Sequence, residues 1–139
     1  MYDESGAKRS VQSELVKVLK HHRDDRGMVL EPFGSRCVRR GEIHELVTTD
    51  EAAAMGDRVD RVGFLGFTEI TSAGVLDVGD TVVVDGRPIG RLLGFDACHF
   101  PNHYNLLIST PRLLTGPGLG LSPGSVIVFS ASAGGTAHG

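Results

Sequence analysis

The segment Gly94–Ser109, GFDACHFPNHYNLLIS, concentrates side chains able to donate, accept and titrate. It carries two of the six histidines, one of the two cysteines and one of the two tyrosines. Asp96, His99, Asn102, His103 and Asn105 stand between apolar residues, and Pro101 stiffens the middle. Polar groups held against a core are the composition of a site. His99 and His103 are four residues apart, which on a helix would turn both to one face as metal ligands. Pro101 favours an extended chain instead. His103, Asn105 and Leu107 then share one face, and Asn102, Tyr104 and Leu106 the other. Asp96 in the preceding loop would fix the tautomer of His99 and raise its basicity, as general acid–base catalysis requires.

Two further constellations carry chemistry. Glu42 and His44 fall on one face of an expected strand, where they would meet His99 or His103 if that face lines a barrel. His44, His99, His103 and Glu42 together form a ligand set for zinc or iron. Arg58 and Arg61, with Asp60 between them, are candidates to grip a substrate carboxylate or phosphate, and Tyr104 completes the substrate-binding set. Each group has an ordinary structural alternative. His99 and His103 would be hydrogen-bonded core histidines. Asn102 and Asn105 would hold a turn. Glu42 and His44 would face water, and Asp57–Arg61 would be a solvated, salt-bridged turn.

The elements that must position these residues read as short strands. In Ser13–His22, Leu15, Val18 and Leu19 suit a helical face, yet period-two alternation fits equally; the turn His22–Gly27 and the strand-like Met28–Leu30 favour β. Glu42–Val47 and Val59–Ile70 read as strands, and the interior glycines Gly63 and Gly66 predict a bulge, a bend or close approach of another backbone. Asp85-Gly86 between Val82–Val84 and Ile89 is a hairpin signature. Ser125–Ser130 is a last strand. Thr49–Met55 has helical end signals and predicts a helix of about two turns. Thr110–Gly124, rich in Leu, Gly and Pro, predicts a long structured loop. The sum is an all-β chain of about eight short strands with one short helix: a small closed or partly open β-barrel, with a β-sandwich as the alternative. Residues 1–12 are expected to be a flexible N-terminus, 13–130 a single domain and 131–139 a flexible tail.

Composition narrows the functional classes. The chain has 139 residues, 40% hydrophobic and 22% charged, enough for one domain with a real core. A net charge of −3 and 6% aromatics without tryptophan argue against nucleic acid as a partner. No apolar run reaches membrane-spanning length and no signal core opens the chain, so the expected location is the cytoplasm. Cys37 and Cys98 do not make a disulfide framework. Cys-x-x-Cys, Walker and dinucleotide motifs are all missing from the sequence.

Gly41–Val47 (GEIHELV), Arg58–Ile70 (RVDRVGFLGFTEI) and Gly94–Ile108 (GFDACHFPNHYNLLI) together resemble a small bacterial family of unknown function, associated with actinobacterial genomes and in part with natural-product genes. The resemblance implies a stand-alone β-rich protein. Its gene setting implies a cyclase, isomerase or lyase; it transfers no catalytic residues.

The leading expectation is an enzyme without cofactor. His99, His103, Asp96, Glu42 and His44 would move protons on a small metabolite, and Asn102 and Asn105 would donate to a developing oxyanion, in a cyclisation, condensation or isomerisation. The alternatives are a metal-dependent lyase or hydrolase using the four-residue ligand set, and a non-catalytic small-molecule binding module. Homodimerisation through the apolar loop Leu113–Leu121 is a further expectation.

Overall fold

In a computed structural model, which describes residues 6–96 and 104–131, the first strand sets the architecture. Along β1 (Val11–Val18), Val11, Ser13 and Leu15 are buried and Gln12, Glu14 and Val16 are exposed. This settles the ambiguous stretch as a strand with period two and Leu15 inward. The strand already includes Val11 and Gln12, within the stretch expected to be a flexible N-terminus.

The remaining strands follow in order: β2 (His22–Arg23), β3 (Met28–Val29), β4 (Ser35–Val38), β5 (Ile43–Thr49), β6 (Arg58–Val59), β7 (Val62–Ser72), β8 (Gly74–Asp77), β9 (Thr81–Val84), β10 (Arg87–Asp96), β11 (Asn105–Ser109) and β12 (Val126–Ser130). Eight of them form the main sheet, in the order β1-β12-β9-β10-β11-β5-β7-β2. A further pairing of β1 with β7 closes seven of these strands into a ring, giving the barrel- or sandwich-like all-β fold. Neighbours in the ring are antiparallel except β5 and β11, which run parallel. The ribbons β3–β6 and β4–β8 lie beside it.

Residues alternate between two cores. Leu15, Leu46, Leu65, Phe95, Leu106 and Phe129 belong to the larger cluster, which fills the ring. Met28, Leu30, Val47, Val62, Phe64 and Leu107 form the second, to which the β3–β6 ribbon contributes. Strands β5 and β11 therefore bury side chains on both faces, which explains their unbroken apolar runs.

The interior glycines behave as their positions predict. A Cβ on Gly63 would lie 2.2 Å from the Leu114 carbonyl oxygen, and one on Gly66 2.1 Å from that of Lys17. Gly66 also has φ +150°, beside a register shift between β5 and β7. The Asp85-Gly86 hairpin is present, with both residues at positive φ and Val84 paired to Arg87.

The expected helix over Thr49–Met55 does not form. Thr49 ends β5, and its hydroxyl accepts the Glu51 amide at 3.1 Å, while the Asp57 carboxylate takes the Ala54 amide at 2.9 Å. The Thr49 bond would equally cap a helix, but Asp57 captures the Ala54 amide that a two-turn helix would need, and so short a helix has little stability of its own. Among the described residues the helical turn is the 3-10 segment Pro117–Leu119, in the long loop. Leu114 and Leu119 pack on the ring's own core and Leu121 is buried in it, so the apolar loop folds onto the molecule that carries it. No helix among the described residues is long and apolar enough to cross a membrane.

Candidate functional site

One end of the ring holds a buried histidine. Gly41, at φ +94°, turns the chain into β5 and leaves Glu42 at the rim and His44 inside it. His44 is 3% exposed. Glu42 accepts a hydrogen bond from the Arg39 amide on Oε2 at 3.0 Å, and its Oε1 lies 2.8 Å from His44 Nε2. Partial burial works against the charged carboxylate. The bond to His44, the Arg39 amide and the nearby positive charge outweigh it and hold the Glu42 carboxyl below its ordinary range.

An ionised carboxylate can only accept, so Nε2 carries a proton, and whenever the imidazole is neutral Nδ1 presents a lone pair. That Nδ1 is buried and has no hydrogen-bond partner among the described residues. Directly across the β5–β7 pair sits Thr68, whose buried hydroxyl also lacks a partner there. The Tyr104 ring packs beside His44, with centroids 6.3 Å apart, and the Arg36 guanidinium lies 3.3 Å from the centre of the same ring. Arg36 Nε is likewise buried without a hydrogen-bond partner among the described residues. His44 and Arg36 thus flank one tyrosine and Thr68 lies across the strand pair from His44, and leaving each such atom unmet costs about 1–3 kcal/mol.

The expected site divides in two. Asp96 and Asn105 do meet, with Asn105 Nδ2 donating to Asp96 Oδ2 at 3.2 Å, and both are buried. They lie on the other face of the sheet. His44 and Tyr104 alternate with Leu46 and Leu106 on the ring's inner face, whereas Glu45 and Asn105 fall with Val47 and Leu107. A pocket lined jointly by Asp96, Asn105, Glu42 and His44 is therefore not what the strands build. His99, Asn102 and His103 lie outside the described residues. Among the described residues no group of three or more His, Cys, Asp or Glu side chains is arranged to hold a metal ion.

Arg58 and Arg61 are engaged elsewhere. Arg58 pairs with Asp60 at 2.9 Å, and Arg61 with Asp50 at 3.1 Å and Asp24 at 3.2 Å. This is the solvated, salt-bridged turn that was the alternative to an anion site. Arg36 and Thr68 were not expected in the site. Period-two alternation carries the signal for both: Arg36 shares a face with buried Val38, and Thr68 with buried Ile70.

Neither the curated proteins nor the solved structures gave a match to this chain. A family profile matches residues 5–130, which include every strand of the ring and all the residues of the His44 site. The chain therefore belongs to the family of unknown function DUF6917.

Proposed function

We propose that the protein is a small enzyme working without an organic cofactor, in which His44 moves a proton on a small metabolite. One observation carries this: a buried imidazole has one nitrogen bound to a carboxylate and the other unmet among the described residues. Glu42 fixes the ring and its tautomer, the arrangement of an oriented general base. Arg36 supplies a positive charge for a carboxylate or developing enolate, and the Thr68 hydroxyl a further contact. A bacterial, natural-product setting, which the resemblance of Gly41–Val47 and its companion segments implies, and the cytoplasmic location expected from the sequence belong to the same proposal. Cyclisation, condensation and isomerisation all begin with such a proton transfer.

The test is proton exchange in D2O, followed by NMR, on a panel of small keto acids and 1,3-diketones. Native protein accelerates exchange of at least one of them; His44→Gln does not, yet still binds it. Arg36→Met weakens binding of the acidic members more than of the neutral ones. Exchange by His44→Gln at the native rate sinks the proposal, as does native protein that exchanges none of the panel. Binding without exchange would identify a binding module, and metal lost on His44→Gln would identify the metal-dependent alternative with His44 and Glu42 among its ligands.

A further inference from the structure

At the opposite end of β10 and β11 from Asp96 and Asn105, an open groove of about 570 Å³ runs between the start of β10 and the long loop. We infer that this groove is a second binding site, for an organic carboxylate carrying an apolar body. Its floor is Ile89, Leu114 and Leu119, all packed on the rim of the interior core. Two arginines line it, Arg87 and Arg112, each with a proline beside it in sequence that also lines the groove. No acidic residue is among the lining residues. In a chain of net charge −3, this is a local reversal of sign.

The guanidinium groups are placed for a ligand more than for the fold. Arg87 donates to the Leu119 carbonyl at 3.3 Å, which ties the loop to β10, and neither arginine forms an ion pair with a carboxylate among the described residues. By contrast Arg58 and Arg61, equally superficial, are both paired. Proline fixes φ next to each arginine, which limits what the backbone must lose on binding. A guanidinium fork matches a carboxylate, and the apolar floor matches a hydrocarbon chain or ring. The volume suits a ligand of small-metabolite size. This site is independent of the His44 proposal, since it lies at the other end of the ring and shares no residue with it.

Calorimetric titration of the full chain with decanoate, below its micellar range, tests it against decanol and inorganic phosphate. Decanoate binds once per chain, and about tenfold or more tighter than either control. Arg112→Glu weakens decanoate about tenfold or more, Arg87→Met weakens it less, and His44→Gln leaves it unchanged. Arg112 is exposed, so its replacement leaves the fold in place, as an unchanged melting curve would verify. Decanol binding as tightly as decanoate would reduce the groove to a merely apolar surface and overturn the inference. Phosphate binding as tightly, decanoate failing to bind, or Arg112→Glu binding it like native protein would overturn it as well.

Discussion

Replacing Gly63 by alanine should be among the most damaging single-methyl changes this protein can suffer. The added Cβ would sit 2.2 Å from the Leu114 carbonyl oxygen, 3.0 Å from its carbon and 3.1 Å from the Thr48 hydroxyl. Two of those atoms are backbone, so no side-chain rotation relieves the clash. The loop carrying Leu114 must withdraw. It is held there by Thr48, whose hydroxyl donates to the Leu114 carbonyl at 2.7 Å and accepts its amide at 3.1 Å. Losing two hydrogen bonds costs about 1 kcal/mol each, more if the buried Thr48 hydroxyl is left unmet. Local overpacking adds about 1–3 kcal/mol. The expected loss is therefore about 3–5 kcal/mol, which at this chain length lowers Tm by about 12–20 °C. Gly34→Ala is the matched control, since its Cβ would meet nothing closer than the flexible Met55 Sδ at 3.8 Å. Urea unfolding of the two variants beside native protein measures the difference. If Gly63→Ala stays within about 0.5 kcal/mol of native, the docking of Leu114 on β7 has been misjudged and the steric reasoning is wrong.

Three other outcomes are expected. Lys8→Met removes the cation that Asp77 and Asp80 share, at 2.7 and 2.6 Å, and strands the buried Asp80; with Asp77 exposed, the loss should be about 2 kcal/mol by chemical denaturation, and no loss would show the ion pairs to be idle. Thr68→Val replaces an unmet buried hydroxyl by a methyl and should raise stability by about 1 kcal/mol while weakening any ligand of the His44 site; a destabilised variant would show that the hydroxyl has a structural partner. For Glu42, burial raises its carboxyl pKa, but the bonds from His44 and the Arg39 amide lower it further, leaving the folded value below the unfolded one. A depressed carboxyl contributes stability that is complete above its unfolded value and is lost as pH falls through the folded one, so Glu42→Gln should flatten the fall in stability below about pH 4.5, and unchanged acid curves would contradict it.

Where a side chain's fate depends on near neighbours, the sequence was informative. Asp85 and Gly86 must both take positive φ, and few residue pairs do so readily. Gly63 and Gly66 announce close backbone approach because no other residue fits there. The all-β class followed from many short runs broken by turn residues. The division of the polar residues between the two sheet faces was not visible in the same way. It depends on the parallel register of β5 with β11, which places Glu45 beside Asn105 and His44 near Tyr104. Nothing local fixes a pairing between residues so distant in the chain. Arg36 was overlooked for a similar reason: it reaches the site from a side ribbon, β4 on β8, outside the ring. The helix expected over Thr49–Met55 failed because Asp57, beyond the end of the segment, takes its Ala54 amide.

The closing of the ring by β1 sets the order in which the protein can be completed during synthesis. Val11–Val18 leaves the ribosome first among the strands, yet one of its two partners is Val126–Ser130, the last. At about 5–20 residues per second, some 110 residues of intervening chain take about 6–22 seconds to appear. For that interval Val11 and Leu15, fully buried at the end, have neither flank of their final surroundings until β7 appears and only one thereafter. The nascent chain must keep this sticky segment solvated, or hand it to a chaperone, until its final neighbour arrives. A rise in protease resistance once β12 has emerged, with little gained before, is how translation of this protein should look.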